Sequence, residues 1–363
     1  MKHLRGEWPL LLSIATTGLF LAYGPAWLAD LSQPAWTISL TVWLFVTILC
    51  SAFAVVRHAE GLAVRLGEPL GTLVLTLSMS GMEMMMIAAV MYAGHGESTL
   101  ARDTMLAILM IVLNGLVGAC LLLGGLRYRE QTYNLYGANA FLSVILPLSV
   151  LGLILPNFTT SSPGPTLSTL QGVFLIVMSL GLYAVFLAIQ TMRHRDYFSS
   201  PAGDEQAHDE HAARSPLFHG LFLLAYIVPI VLLAKKIAIP IDYATTVLGA
   251  PPALGGLLVA VLILSPESLA AIRAARANQL QRSINLALGT ALSTISLTIP
   301  AVLIIGFLTG KTVALGLNGA DTLMLVLTLL ASMLTFALER TNMLLGAVHL
   351  LLFLAYLMLI FEK

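Results

Sequence analysis

The chain has 363 residues, of which 58% are hydrophobic and only 10% are charged, and its formal net charge is zero. Soluble domains carry about 25% charged residues, so this chain cannot cover a water-facing surface, and its zero net charge argues against nucleic-acid binding. Its two cysteines, Cys50 and Cys120, lie in apolar runs without metal-ligand spacing, which argues against a disulfide framework or a zinc site.

Apolar runs long enough to cross a bilayer recur along the whole chain. A spanning helix needs about 20 mainly apolar residues, and this length predicts eleven spans joined mostly by short connections. The first run is expected to be retained as a helix, because it is long enough to span and lacks a small-residue cleavage site. The predicted spans are residues 8–29, 35–56, 69–93, 103–126, 138–156, 169–192, 217–236, 252–274, 284–309, 320–338 and 342–361.

One polar stretch divides the chain into two halves, with six predicted spans before it and five after it. We therefore predict an extra N-terminal helix in residues 1–34, a first repeat in 35–192, a linker in 193–216 and a second repeat in 217–363. Two interpretations of the linker stay open, a solvated connection or a cytoplasmic cation or pH sensor, since histidine titrates near neutral pH. The candidate regulatory residues within it are Asp204, Glu205, His208, Asp209, Glu210 and His211.

The placement of lysine and arginine predicts the orientation of the chain. With the N-terminus inside, the inner segments hold 13 of the 18 basic residues and the outer segments hold 5. Cytoplasmic loops carry the excess of positive charge in membrane proteins. We therefore expect a multi-pass protein of the bacterial inner membrane with a cytoplasmic N-terminus and a periplasmic C-terminus.

Of the 18 acidic residues, only Glu83 and Glu267 fall well inside predicted spans. A carboxylate at that depth costs several kcal/mol unless it pairs, protonates or lines water. Glu83 follows Pro69 by 14 residues and Glu267 follows Pro252 by 15, so each lies roughly 21–23 Å along a helix that begins at a proline. The two helices are five spans apart and run in opposite directions, as in inverted-topology repeats. We predict that the two carboxylates meet across a pseudo-twofold axis.

Small polar residues accompany both glutamates. Ser80 precedes Glu83, and Ser265 and Pro266 precede Glu267. Proline frees the carbonyl one turn earlier, and a freed carbonyl is an oxygen ligand for a hard cation. Burial favours a protonated carboxyl group and a bound cation favours an ionised one, so protons and cations would compete for the site. The predicted helper ligands are Ser80, Ser265, Asn114, Ser293 and Ser296.

Several segments together carry a resemblance to a known family. The sequence resembles the calcium/cation antiporter superfamily, in its cation/proton exchanger branch, and is most similar there to bacterial sodium–potassium–calcium/proton antiporters of the Cha type. The segments are RLGEPLG at 65–71 leading to Glu83, RDTML at 102–106, the glycines at 124–125, RYREQTYN at 127–134, LSPE at 264–267, NLALG at 285–289, and ERTN at 339–342 with Gly346.

The resemblance implies ten core helices in two inverted repeats, plus one extra helix. Each repeat of that family carries a Gly-Asn-Ala-x-Glu element whose glutamate binds cation or proton, and these glutamates match Glu83 and Glu267. Here residues 79–82 read MSGM and 263–266 read ILSP, so the asparagines are absent. Calcium prefers six to eight oxygen ligands, which leaves Na⁺, K⁺ and Ca²⁺ all open as substrates. The family's acidic segment between its halves is similar in place to residues 204–211, which adds support to the regulatory interpretation and leaves both interpretations open.

The sequence thus predicts an all-α polytopic membrane protein that exports Na⁺, K⁺ and/or Ca²⁺ in exchange for H⁺ by alternating access. Its expected partners are small inorganic cations and the lipid bilayer; we expect no cofactor and no enzymatic activity, and the oligomeric state stays open. Glu68, at the cytoplasmic start of a helix, is a candidate gating acid, although the helix dipole also favours an acid there. The alternative function is a passive cation channel without proton coupling.

Overall fold

The computed structural model describes residues 6–67, 70–93, 99–199 and 215–362, and within these ranges the chain is almost entirely helical. Within these ranges, nine helices are long and apolar enough to cross a membrane, and two further apolar helices, Trp8–Ala22 and Gly319–Thr335, are shorter. The helices are α1 Trp8–Ala22, α2 Pro34–Leu66, α3 Leu70–Ala93, α4 Leu100–Tyr128, α5 Leu135–Asn157, α6 Thr169–Arg193, α7 Pro216–Thr246, α8 Pro252–Arg276, α9 Leu280–Thr309, α10 Gly319–Thr335 and α11 Met343–Phe361.

The prediction of an all-helical, polytopic membrane protein is confirmed, but some helix ends differ. The predicted first span ran to residue 29, whereas α1 ends at Ala22 and a separate short helix, Gly24–Trp27, follows it. Pro25 explains this break, because proline restricts the residue before it and cannot continue a helix. The other difference is length, since α2 and α7 each continue about ten residues beyond the predicted apolar span.

Four of the helices contain a π-helical segment, a wider turn that is frequent at functional sites. The segments in α4 and α9 are Met110–Leu116 and Thr294–Thr298, and the other two are Val150–Ile154 in α5 and Ile189–Arg193 in α6. In α9 the cause is visible in the sequence, because Pro300 has no N–H to donate to the carbonyl of Ser296. Helices α4 and α9 are five helices apart, so the two interruptions correspond under the predicted repeat.

The chain forms two compact units. Unit 1 comprises the described residues within 1–97 and 207–266, and unit 2 comprises those within 98–206 and 267–363. Each unit therefore combines helices from both halves of the sequence, and the boundary passes through α8. Units are defined by contacts and repeats by symmetry, so the predicted domain boundaries stay a prediction.

Helix α2 is the centre of unit 1 and packs against α1, α3 and α7. Its last turn ends at Gly67, which has a positive φ of 65° that glycine adopts without strain. Helix α3 then returns along α2 so closely that a side chain at Gly71 would collide with the carbonyl of Ala63. At the other end of α2, the rings of Phe20, Trp27 and Trp43 pack edge-to-face or tilted, with centroids 5.4–5.9 Å apart.

In unit 2, α11 packs along α4. Their backbones approach at Gly118 and Gly346, where an added Cβ at Gly118 would lie 3.0 Å from the Gly346 carbonyl oxygen. Side chains cap the starts of several helices, and among them Asn134 accepts hydrogen bonds from the first turn of α5 and Asn342 from that of α11. Just before these caps, the two-residue strands β1 (Gln131–Thr132) and β2 (Arg340–Thr341) pair antiparallel.

Candidate functional site

Glu267 lies inside α8 and receives a hydrogen bond from the hydroxyl of Thr290 on α9. The same hydroxyl also lies 2.9 Å from the carbonyl oxygen of Leu286. A hydroxyl has one hydrogen to donate and two lone pairs to accept. Thr290 can therefore donate to an ionised Glu267, or accept from a protonated Glu267 while it donates to Leu286. This pair of helices satisfies both protonation states of the carboxyl group without a rearrangement of the backbone.

The backbone of α8 is interrupted just before this carboxylate. Pro266 cannot donate a hydrogen bond to the carbonyl of Leu262, which leaves that oxygen without its helical partner. The neighbouring Ser265 hydroxyl donates to the carbonyl of Val261 at 2.5 Å. As a helper ligand, Ser265 would offer the lone pairs of its hydroxyl oxygen, since its hydrogen is used within the helix.

Glu83 lies in the middle of α3 in unit 1 and is only 3% exposed. Ser80 precedes it by three residues, so the two side chains share one helix face. The Ser80 hydroxyl is also buried and has no hydrogen-bond partner among the described residues. Buried hydroxyls are normally bonded, so this oxygen is a suitable cation ligand or water-binding group. Glu83 and Glu267 belong to different units, and their meeting stays a prediction.

The two predicted serines of α9 differ in their surroundings. Ser293 donates to the carbonyl of Thr290 at 3.1 Å. Ser296 is fully buried in the π-helical segment, and its hydroxyl has no partner among the described residues. The hydroxyls of Thr294 and Thr298 in the same segment are likewise buried and unpartnered within the described ranges. This turn of α9 therefore presents several oxygen atoms that a cation or a water molecule could satisfy.

Asn114 occupies the π-helical segment of α4, where its amide is already hydrogen-bonded. Its nitrogen donates to the hydroxyl of Thr328 at 2.7 Å, and its oxygen is 3.1 Å from a ring nitrogen of His349. The other nitrogen of His349 lies 3.0 Å from the hydroxyl of Thr335. These contacts join α4 to α10 and α11 inside unit 2. A role for Asn114 as a cation ligand stays a prediction, and ligation through its oxygen would compete with His349.

The remaining predicted residues lie outside the described ranges. The candidate gating acid Glu68 and the start of its helix at Pro69 fall in one gap of these ranges. The candidate regulatory residues of the linker fall in another: Asp204, Glu205, His208, Asp209, Glu210 and His211.

Thr290 is the site residue that the sequence-based set of helper ligands omitted. A signal for it exists, because Thr290 precedes Ser293 by three residues and so shares its helix face. What the sequence could not supply is the register between α8 and α9, which places this hydroxyl beside Glu267.

Solved structures with the same fold define the class of protein. The chain is similar to native YfkE, with a TM-score of 0.74 at 16% sequence identity, covering 98% of this chain and 100% of that one. It is also similar to the H⁺/Ca²⁺ exchanger CAX, with a TM-score of 0.70 at 15% identity, covering 98% of this chain and 88% of that one. The fold and the glutamate-bearing interrupted helix therefore define a polytopic membrane protein with the fold of these exchangers.

Sequence comparison then identifies the family. The family model described as sodium/calcium exchanger protein matches residues 36–192 and 218–362, and the chain belongs to this family. It is 42% identical over 314 residues to the putative ionic transporter y4hA of Sinorhizobium fredii (strain NBRC 101917 / NGR234), covering 85% of each chain. It is 40% identical over 329 residues to the sodium-potassium/proton antiporter ChaA of Escherichia coli (strain K12), covering 89% of each.

Proposed function

We propose that this chain is a secondary active antiporter that exports a monovalent cation in exchange for protons. The observation that carries the proposal is the hydrogen bond between Thr290 and Glu267 inside two apolar helices. An embedded carboxyl group that is satisfied both with and without a proton can release H⁺ when a cation arrives and bind it again afterwards. The ChaA relative is named a sodium-potassium/proton antiporter, which supports the same function.

The site residues act by competition. When the site opens to the cytoplasm, Glu83 and Glu267 lose their protons and bind the cation, because a bound cation favours ionised carboxylates. The oxygens of Ser80 and Ser265 and the carbonyl that Pro266 frees complete the shell. When the site opens outward, protons displace the cation. The two carboxylates thus bind cation and protons in turn as access to the site alternates. The proton gradient drives this cycle, so no separate energy source is needed.

Na⁺ and K⁺ are the favoured substrates over Ca²⁺. The helper groups of this chain are mainly hydroxyls and carbonyls, and the elements before both glutamates lack asparagine. Calcium prefers six to eight oxygen ligands with several carboxylates among them, which this set supplies poorly. The ChaA relative is 40% identical and is named for sodium and potassium, whereas the H⁺/Ca²⁺ exchanger CAX is only 15% identical.

The proposed setting is the inner membrane of a bacterium, with the N-terminus cytoplasmic and the C-terminus periplasmic. The distribution of basic residues, 13 inner and 5 outer, supports this orientation. Small cations and lipid are the proposed partners. Antiport needs no cofactor and no covalent chemistry, so we propose no enzymatic activity.

Transport in everted membrane vesicles tests the proposal. Respiration acidifies the vesicle interior, and Na⁺, K⁺ or Ca²⁺ is then added separately while a ΔpH-sensitive dye reports the internal pH. We expect Na⁺ and K⁺ to alkalinise the interior. Glu83→Gln and Glu267→Gln should each abolish this signal while the protein remains in the membrane, because glutamine cannot exchange a proton. Glu339→Gln, at an exposed position after α10, is the matched control and should retain it.

The same assay separates antiport from a passive channel. When the membrane potential is collapsed, a channel would carry labelled Na⁺ or K⁺ down its gradient without alkalinising an acid interior. That result, or undiminished antiport in both glutamine variants, would contradict the proposal.

A further inference from the structure

A second group of buried titratable side chains lies in unit 1, where the start of α1 meets α2 and α7. We call Glu7, His58, His219 and Tyr226 the histidine cluster. Glu7 is 2% exposed, and the other three are fully buried. Nδ1 of His58 lies 3.1 Å from Nδ1 of His219, and Nε2 of His58 lies 3.2 Å from Oε2 of Glu7. None of these residues belongs to the glutamate site described above.

Glu7 is held as a carboxylate. Its Oε2 accepts hydrogen bonds from Arg57 at 2.7 Å and from the hydroxyl of Tyr226 at 3.0 Å, in addition to the contact with His58. Burial raises the pKa of Glu7, but the hydrogen bond of His58, the charge of Arg57 and the hydroxyl of Tyr226 outweigh it, so the pKa is lowered. A negative charge therefore stands beside the histidine pair.

The rings of His58 and His219 face each other through their Nδ1 atoms, so one hydrogen bond can join them. His58 uses Nε2 to donate to Glu7, so its Nδ1 accepts from Nδ1 of His219 when both rings are neutral. One added proton leaves this bond intact, because a single hydrogen still lies between the facing Nδ1 atoms. The pair therefore has room for one extra charge, since two imidazolium rings would place two N–H groups head to head.

The backbone of α2 leaves room for the ring of His219 at Gly61. A Cβ at Gly61 of α2 would lie 2.5–2.9 Å from three ring atoms of His219, so only glycine lets the ring lie across α2. Arg57 opposes a positive charge on the pair and Glu7 favours one. Among the described residues of the neighbouring helices, the other charged groups are Glu60 and Arg65 on α2, Glu83 on α3, and Lys235, Lys236 and Asp242 on α7.

The cluster lies on the cytoplasmic side of Glu83 in the predicted orientation. Gly71 of α3 packs beside Ala63 of α2, and the two helices are antiparallel, so His58 is level with residue 76 of α3. Glu83 is seven residues further along α3, about 10 Å deeper at 1.5 Å per residue. A charge on the pair is close enough to act on a cation bound at Glu83.

We propose that His58 and His219 form a proton-binding site that reports cytoplasmic pH to the transport site. This inference rests on the proposed function. A proton on the pair places a positive charge on the cytoplasmic approach to Glu83 and opposes cation binding there. Antiport brings protons into the cytoplasm, so this site slows transport as the cytoplasm becomes acidic. At an effective dielectric constant near 20, one charge at this separation lowers cation affinity about tenfold.

The test measures the cation KM of antiport in everted vesicles, whose outer medium faces the cytoplasmic side, between external pH 5 and 8.5. In wild type, KM should rise as the external pH falls, and the protonated histidine pair should contribute about tenfold to that rise. His219→Asn keeps a hydrogen-bond donor beside His58 but cannot hold the extra proton, and His58→Gln removes the pair. Both should lose that contribution and keep the wild-type maximal rate at pH 8.5. Glu7→Gln removes the favourable charge and should move the rise to lower pH.

His194→Gln is the matched control, because His194 follows α6 outside the cluster, and its pH profile should match wild type. Unchanged profiles in both His219→Asn and His58→Gln would overturn the inference while leaving antiport established. If the wild-type protein showed no cation-dependent proton movement, that result would overturn the proposed function and this inference with it. Loss of transport at every pH in both histidine variants, with the protein present in the membrane, would also overturn it, since it would assign the pair a structural role.

Discussion

Thr290 has the most direct control over the proposed chemistry, because its hydroxyl bonds to the carboxylate of Glu267. We predict that Thr290→Val raises the cation KM of antiport about tenfold, since a hydrogen bond to a charged group contributes about 1.5–3 kcal/mol. Thr290→Ser keeps the hydroxyl and should remain within about twofold of wild type. The measurement is KM in everted vesicles. A KM for Thr290→Val within about twofold of wild type would show that this hydrogen bond does not decide cation affinity.

Glu7 gives a prediction about stability and pH. Its pKa is lowered from the ordinary value of 4.5, so its contribution to stability is fully present above that value and is lost as the pH falls through the lowered pKa. Glu7→Gln should therefore destabilise the purified protein at neutral pH, on the order of 2 kcal/mol. The difference in Tm between wild type and variant should shrink below about pH 4.5.

Thermal unfolding in detergent between pH 3.5 and 7.5 measures this difference. Asp30→Asn is the control, because Asp30 is exposed and bonds only locally to Ser32, and it should leave Tm nearly unchanged. A difference for Glu7→Gln that stays constant across the range would show that the ionised carboxylate is not what stabilises the cluster.

At the scale of elements, the close contact of α4 and α11 depends on glycine. A methyl group at Gly118 would lie 2.9–3.0 Å from backbone atoms of α11, and one at Gly346 would meet the backbone of α4. Gly118→Ala and Gly346→Ala should each destabilise the protein by about 1–3 kcal/mol, because overpacking forces backbones apart. Gly181→Ala on α6, where nothing lies within 4 Å, should be neutral or slightly stabilising. Thermal unfolding in detergent ranks the three, and equal Tm values would refute the close contact.

Hydropathy predicted the existence of the helices well because the length of an apolar run is a local property. It underestimated the lengths of α2 and α7, since a helix can continue through polar residues after its apolar run ends. Helix α2, for example, continues past Arg57 and Glu60 to Leu66. The π-helical turns were not predicted, although Pro300 gave a signal for the one in α9. Packing against neighbouring helices decides such turns, and packing is not readable from one segment.

The same limit applies to the candidate sites. Glu83 and Glu267 could be singled out from the sequence because an acid inside an apolar run is a local anomaly. The histidine cluster could not, because its partners are far apart in the chain: Glu7 bonds to His58 51 residues away and to Tyr226 219 residues away. The motifs behind the family resemblance also include architectural residues. Asn285, for example, donates to the carbonyl of Phe198 at 2.5 Å and fixes the first part of the linker.

For the whole molecule, orientation in the membrane decides which direction the proposed exchange takes. Cys50 and Cys120 are the only cysteines, so a background with both changed to alanine allows single-cysteine labelling. Ala277→Cys, in the exposed turn between α8 and α9, should react with a membrane-impermeant maleimide in everted vesicles and be protected in right-side-out vesicles. Thr312→Cys, in the exposed connection between α9 and α10, should behave in the opposite way. The reverse pattern would place the histidine cluster on the periplasmic side, where it could not report cytoplasmic pH.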